Sequence, residues 1–389
     1  MTYIIILNHN NWSDTVECLE SLFAQHSKDW RVIVCDNGSQ DNSLQKIREW
    51  AEGSLAQNKI WNCIPGSNDT DVQKPIRYQS FDLEEIRSGS PNISSDIRLV
   101  LLDNRENLGF SGGNNTGIRL SLRDKDCRYL WLLNNDTVVD QFALDHLLDK
   151  MTEDKTAGMA GSTILYYHDP SLVQAFGGFT LNKYLGHTKQ IGHLKTVDRD
   201  PTKANLIEVE EKMFGIQGAS VFVKREFFEE CGLLSEDYFL YFEESDLSMQ
   251  NDGRFRLLYA PKSLVYHKEG KTTGSNSRKE KQKSLFSEYY LASSRLLFTK
   301  KYFPYYLPGI CFFHLLIATK RVFHGRWKNA CVVVFSTIFF LRDYSTGKPL
   351  FQDRSSFDHF LMRISRMPII RTIGKRRVKI NITSNFNKH

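Results

Sequence analysis

Residues 129–137 read Tyr-Leu-Trp-Leu-Leu-Asn-Asn-Asp-Thr, an apolar run that stops on three polar side chains, Asn134, Asn135 and Asp136. An apolar run without alternation fits a strand buried on both faces, as in a parallel α/β sheet. Ligands of such sheets bind beyond the carboxyl ends of the strands. Asp136 then stands on a rim where an oxygen ligand can meet a divalent cation and a phosphate. Asn and Asp also make ordinary turns, because they hydrogen-bond their own backbone. Taken alone, the stretch reads better as a turn, so its weight depends on whether other strands end the same way.

They do. Tyr-Ile-Ile-Ile-Leu at 3–7 meets Asn8-His9-Asn10-Asn11, and Ser13 is a candidate N-cap for a helix burying Val16, Leu19, Leu22 and Phe23. Trp-Arg-Val-Ile-Val-Cys at 30–35 meets Asp36-Asn37-Gly38-Ser39, and a helix through Leu44, Ile47 and Trp50 follows. Ile-Arg-Leu-Val-Leu-Leu at 97–102 precedes a Gly-rich stretch, read as a loop from Asn107 to Gly117, and a helix through Ile118, Leu120 and Leu122. This rhythm predicts an α/β fold with a mostly parallel sheet and right-handed crossovers. Residues 52–96 break it: rich in Ser, Asn, Asp, Gly and Pro, they read as a loop-rich insertion at the sheet's edge.

Composition limits the alternatives. A chain of 389 residues with 41% hydrophobic and 25% charged residues is ordinary for a globular protein of one or two domains. Seven scattered cysteines without a CxxC pair fit a reducing compartment better than a disulfide framework or a structural zinc site. The first apolar run is too short for a signal peptide, which predicts a cytoplasmic location. The net charge of +6 is concentrated late: after Asp358 there is no acidic residue, while Arg363, Arg366, Arg371, Lys375, Arg376, Arg377 and Lys379 follow. Two apolar stretches, 302–318 and 330–341, are broken by Pro304, Pro308 and His314 or are too short to cross a bilayer. They read as interfacial helices or as helices packed on the catalytic domain, with a transmembrane hairpin third. Peripheral contact with an anionic membrane follows from the first of these.

Several constellations can carry chemistry. The glycines at 109, 112, 113 and 117 let backbone approach a ligand ahead of a helix. Their spacing matches neither the dinucleotide fingerprint nor a P-loop, against a nicotinamide dehydrogenase or a P-loop NTPase. Glu243 and Glu244 follow Tyr238, Phe239, Leu240, Tyr241 and Phe242, so carboxylates press on an apolar wall. Desolvation there raises a carboxyl pKa and makes a better proton acceptor; the same pair also suits the first turn of a helix. His267 ends a strand-like run before the polar, Lys-rich segment 268–284, which reads as a flexible loop, and a neutral imidazole can join Asp136 around a metal.

In this order the motifs resemble family 2 glycosyltransferases of the GT-A fold, particularly the bacterial rhamnosyltransferase-like branch. The motifs are the Asn-rich end of the first strand, Asp36-Asn37-Gly38-Ser39, Glu-Asn-Leu-Gly-Phe-Ser-Gly-Gly-Asn at 106–114, Leu-Leu-Asn-Asn-Asp-Thr at 132–137 and Tyr-Phe-Glu-Glu-Ser-Asp-Leu at 241–247. The resemblance covers residues 1–300, the expected catalytic domain, and leaves 301–389 as a helical, basic, membrane-associating region. It implies a nucleotide-sugar donor site at Asn8, Asp36, Asn37, Asn107, Gly109, Gly112, Gly113, Asn134 and Asn135. It implies Mg²⁺ or Mn²⁺ at Asp136 with His267, and an acceptor site near Gln217 and Gly218. The implied base is Glu244, where many relatives carry Asp, with Glu243 as the fallback. The implied reaction is inverting transfer from dTDP-rhamnose or a UDP-sugar to a saccharide or lipid-linked saccharide in surface polysaccharide synthesis. The implied place is the inner face of the cell membrane.

Asn134 stands where the family's motif has its first Asp, so the site carries one negative charge fewer. That keeps open a non-catalytic nucleotide-sugar-binding or scaffold protein with a degenerate site. A nucleotidyltransferase would need a basic phosphate loop after the first strand, where residues 8–11 offer none. Nucleic-acid binding is not expected, because the positive charge lies at the end of the chain and on no recognisable module.

Overall fold

The computed structural model describes residues 1–55, 72–89, 91–196, 203–269 and 283–346, with 364, 369–373 and 376–380. Its organising layer is a ten-stranded sheet. The first half alternates strand and helix: β1 (Thr2–Asn8), α1 (Trp12–Phe23), β2 (Trp30–Asp36), α2 (Ser43–Glu52), β3 (Tyr78–Asp82), α3 (Leu83–Ser88), β4 (Leu99–Asp103), α4 (Gly109–Ser121) and β5 (Tyr129–Asn134). Strands β3, β4, β2, β1 and β5 lie side by side and parallel. Alternate residues of each strand serve opposite faces. Ile4, Ile6, Val32, Val34, Trp131 and Leu133 pack under α1 and α2, while Tyr3, Ile5, Ile33, Cys35, Leu130 and Leu132 pack under α4. Each such side chain contributes about 1.5–3 kcal/mol by burial. Trp131 also spends its indole N–H on Ser220 Oγ at 2.9 Å.

The chain leaves β1 toward β2 on one side and later returns with β5 on the other. The gap between the ends of β1 and β5 is therefore a topological switch point. Beyond it come β6 (Thr137–Val139), α5 (Ala143–Glu153), β7 (Ala157–Tyr166), β8 (Asp169–Phe176), β9 (Gly178–Asn182), β10 (His187–Gln190), α6 (Lys203–Lys212), β11 (Gly215–Ile216), β12 (Ser220–Lys224), α7 (Arg225–Cys231), α8 (Glu243–Asn251) and β13 (Arg256–His267). Antiparallel β12 joins β5 to β7, and β13 carries β6 at the far edge. Strands β10, β9 and β11 form a small second sheet. Helices α9 (Leu285–Tyr302), α10 (Leu307–Phe323) and α11 (Trp327–Thr346) follow, then an antiparallel pair, β14 (Ile369–Ile373) and β15 (Arg376–Ile380). This is the expected α/β architecture, a mostly parallel sheet flanked by helices with a helical C-terminal region.

Four local expectations differ. The N-cap of α1 is Asn11, not Ser13. The stretch read as a Gly-rich loop is helix from Gly109 onward: a Cβ on Gly113 would stand 2.4 Å from Leu7 Cδ1, so glycine there lets α4 lie close on β1. Residues 52–96 are not loop-rich throughout, because β3 adds an edge strand to β4 and Asp82 and Glu85 close a capping box on α3. That strand was hidden because its exposed edge position tolerates a polar sequence. The expected boundary at 300/301 falls inside α9, whose Phe298 packs on Phe242 of the main fold. Most of the 268–284 loop lies outside the described residues.

Candidate active site

The strand registers bring the polar ends level. Asn8 pairs with Asp36 across β1 and β2, Asp36 with Asp103 across β2 and β4, and Leu7 with Asn134 across β1 and β5. A buried amide network links them. Asn8 Nδ2 donates to Asp36 Oδ1 at 2.7 Å and to Ser39 Oγ at 3.1 Å, and Asn8 Oδ1 accepts from Thr15 Oγ1 at 2.8 Å. Ser39 N–H donates to Asp36 Oδ2 at 3.0 Å, so Asp36 does close the turn its sequence also allows. Asn37 Nδ2 donates to Asn107 Oδ1 and to Gly109 O, each at 3.0 Å, and Asn107 Oδ1 accepts from Gly109 N–H. Asn37 and Asn107 thus brace the start of α4, where Gly109 and Gly112 lie in the first turn.

The Asn134-Asn135-Asp136 turn divides its side chains. Asn135 points into α1, donating to Thr15 Oγ1 at 3.0 Å and Asn11 O at 3.4 Å, so it anchors the turn rather than facing the rim. Asp136 meets His267 from 131 positions away: Asp136 Oδ1 is 3.1 Å from His267 Nε2. The approach follows from β6 reversing after Asp136 and pairing Thr137 with His267 on β13. His267 Nδ1 lies 2.7 Å from Gln174 Oε1, which accepts its proton and orients the ring. Burial lowers the imidazole's proton affinity, and the Asp136 carboxylate more than offsets this, so its pKa is raised. Lys268 N–H donates to Asp136 O at 3.0 Å, and its ammonium sits buried on Asp14 Oδ1 at 2.6 Å and on Glu17.

The acidic pair opens α8 after an unusual turn. Tyr241 and Phe242 both have left-handed backbone, φ 67° and 72°, which costs on the order of 1–3 kcal/mol each in bulky residues. Surrounding contacts hold it: Leu240 O accepts from Ser294 Oγ at 2.8 Å, Phe239 O from Phe110 N–H at 2.8 Å, and Tyr241 Oη lies 3.2 Å from Ser287 Oγ. The start of α4 and the acidic segment are thereby joined. Glu243 is 3% exposed, and among the described residues its Oε2 has no hydrogen-bond partner. Burial, then the neighbouring Glu244, pushes its pKa well up; burial raises that of Glu244.

Glu244 fills the space over Gly218, where a Cβ would stand 1.8 Å from Oε1. Gln217 and Gly218 belong to the turn between β11 and β12, and Ala219 O of that turn accepts from Asn134 N–H at 3.1 Å. The acidic pair and the Asp136–His267 pair therefore frame one rim of the sheet. Ser39 belongs to the motif that ends the second strand, and Thr15, Asn104 and Gln174 complete the surroundings without having been singled out from the sequence. Of these three only Asn104, whose Nδ2 lies 3.4 Å from Asn37 Oδ1, carried a signal, as another polar strand end.

Among solved structures the chain is similar to the mannosyltransferase PcManGT from Pyrobaculum calidifontis in complex with GDP-Man and Mn²⁺, at 13% identity and TM-score 0.48, covering 88% of this chain and 87% of that one. It is similar to GalNAc-T7 with UDP, GalNAc and Mn²⁺ at 14% identity and TM-score 0.47, covering 76% of this chain and 50% of that one. It is also similar to S. aureus TarS 1-349, at 11% identity and TM-score 0.39, covering 90% of this chain and 93% of that one. No curated protein matches the sequence. The sequence model of Glycosyl transferase family 2 matches residues 3–69 and 83–232, more than half of the chain. That match takes in the strand ends of β1, β2, β4 and β5 and stops short of α8. The chain belongs to glycosyl transferase family 2.

Proposed function

We propose that this glycosyltransferase moves a sugar, with inversion, from a nucleotide-diphosphate donor, dTDP-rhamnose or a UDP-sugar, to a hydroxyl of a saccharide acceptor in surface polysaccharide synthesis. The observation that carries the reading is the shared rim: Glu244 over Gly218, on a turn bonded to Asn134, beside the Asp136–His267 pair. The donor's nucleotide lies along Asn8, Asp36, Asn37 and Asn107, at the switch point where the fold leaves its crevice. The acceptor enters from the side of Gln217 and Gly218. Glu244, its proton affinity raised by burial, takes the proton of the acceptor hydroxyl while that oxygen bonds to the anomeric carbon and the bond to the diphosphate breaks. Attack opposite the leaving group inverts the carbon. Glu243, buried beside it, stays neutral and leaves Glu244 as the base.

The donor set suits Mg²⁺ or Mn²⁺. A buried carboxylate and an imidazole face each other at 3.1 Å, with Gln174 orienting the ring. Among the described residues no group of three His, Cys, Asp or Glu assembles; Mg²⁺ at nucleotides usually takes one or two protein ligands and completes its shell with phosphate oxygens and water. Asp136 and His267 would hold the ion. When bound, it would offset charge on the departing diphosphate.

The test is nucleotide release from dTDP- and UDP-sugars with Mg²⁺ or Mn²⁺ across an acceptor panel. Release from wild type that Glu244→Gln reduces by about 10²–10⁴ fits the proposed base; equal release from both rejects it. A non-catalytic nucleotide-sugar-binding protein is the second reading, favoured by Asn134 in the place of an acid. Donor binding without turnover in every acceptor mixture would select it. The acceptor is taken to be lipid-linked, at the inner face of the cell membrane.

A further inference from the structure

Helix α10 is built inside out. A helix on a water-facing surface turns its apolar stripe inward. The inward positions of α10 are Leu307, Ile310, His314, Ala318 and Arg321, two of them strongly polar. His314 lies 2.8 Å from Thr337 Oγ1 and 3.2 Å from Arg295 Nη1, and Arg321 pairs with Glu288 at 3.1 Å. Outward stand Phe312, Leu315, Leu316 and Phe323, 52–84% exposed, with Tyr305 just before the helix at 94%. The turn between β9 and β10 extends this face, for the Tyr184 ring rests on Tyr306 at 4.9 Å and Tyr184 and Leu185 are themselves exposed. Contiguous apolar surface of this kind marks an interaction site.

The charges name the occupant. From residue 302 to residue 342 there is no Asp or Glu, and Lys320, Lys328 and Arg342 fall within that span, while Arg321 and Arg326 turn inward toward Glu288. A second copy seated on the same face would bring like charges together. An anionic bilayer answers both features, taking apolar side chains into the interface and Lys and Arg at the headgroups. The inward side of α10 packs on α11 and α9, an arrangement that favours a helix lying along the bilayer.

We propose that the outward face of α10, together with the β9–β10 turn, is the surface by which the enzyme docks on an anionic lipid bilayer. The same turn reaches the active site. Gly186 O accepts from Arg295 Nε at 2.9 Å, tying the turn to α9, and β9 pairs Phe179 with Gly215, two residues before Gln217. From Tyr184 back to Phe179 is about 17 Å of extended chain, which sets the acceptor-side turn within reach of a saccharide held at the headgroups. That last step rests on the proposed function; the docking itself does not.

The test uses the full chain, without donor or acceptor, and vesicles of phosphatidylcholine alone or with about one-third phosphatidylglycerol. The expected result is flotation with the anionic vesicles only, weakening as salt rises. Phe312→Ser combined with Leu316→Ser lowers vesicle affinity about tenfold or more, while Tm and turnover on a water-soluble acceptor stay unchanged. Equal flotation of variant and wild type overturns the proposal, as does a wild type that floats with neither vesicle. Self-association lost in the variant, without vesicle binding, would assign the face to a second copy and also overturn it. A protein that floats but never releases nucleotide leaves the docking face standing and rejects the enzyme reading; one that turns over but never floats does the reverse.

Discussion

At position 218 the absence of a side chain is what seats the proposed base. A methyl group on Gly218 would stand 1.8 Å from Glu244 Oε1, so Gly218→Ala must push the carboxylate aside. Misplacing a reacting group by about 1 Å is worth on the order of 10²-fold in rate. The expected outcome is a kcat lowered by about that factor with Tm nearly unchanged, read by nucleotide release and thermal melting; an undiminished kcat would show that Glu244 acts from elsewhere. Glu243 makes a separate prediction. Its folded-state pKa lies well above the ordinary carboxylate value because burial, then Glu244, disfavours the anion. A carboxyl shifted that way contributes stability in full below its unfolded value and loses it as pH rises through the folded one. Glu243→Gln, which cannot ionise, should flatten the fall of Tm on the alkaline side. An unchanged Tm-against-pH profile would mean that Glu243 is ionised in the fold.

At the scale of elements, the end of β13 is fixed to α1 by one buried cation. Lys268 reaches Asp14 at 2.6 Å and Glu17, Tyr167 Oη donates to Glu17 Oε1 at 2.5 Å, and the Lys268 N–H holds Asp136 O. Removing one partner of a buried ion pair costs about 3–5 kcal/mol, because the other charges remain unpaired. Lys268→Met should therefore lower unfolding stability by that order and, by loosening His267 against Asp136, weaken Mn²⁺ affinity measured by titration; unaltered affinity would confine Lys268 to stability. None of this clamp was legible in the sequence, because it joins residues about 250 positions apart through a tertiary contact. What was legible was local. Apolar runs ending in Asn8, Asp36 and Asn134 announced the sheet and its rim, since strand burial and turn chemistry are both written in consecutive residues. The helix beginning at Gly109 was not, because glycine's poor helix propensity is overridden there by close packing on β1. Strand β3 was missed because an edge strand need not be apolar, and Gln174 because a ring's orienting partner leaves no pattern in its own neighbourhood.

At the scale of the whole molecule, the C-terminal helices α9, α10 and α11 are joined to one another through buried polar groups, which makes their packing sensitive to acid. His314, at 1% exposure, faces Thr337 on α11 and Arg295 on α9. Burial first, and the Arg295 guanidinium second, push its pKa down to about 3. The sign is opposite to that of Glu243. A base whose folded pKa is depressed is neutral in the fold, while the unfolded chain takes up a proton below its ordinary value of 6.5. Stability from this group is complete above that value and declines as pH falls toward 3. Net charge reinforces the trend, because the +6 carried at neutrality grows as carboxylates protonate. His314→Gln keeps hydrogen-bonding capacity without the titration. Urea unfolding from pH 8 to pH 4 should show wild type and variant running parallel above about 6.5 and diverging below it. The wild type should lose on the order of 2 kcal/mol more than the variant by pH 5. Parallel curves throughout would mean that His314 is protonated in the fold, and that the cation it meets on α9 is balanced by some other group.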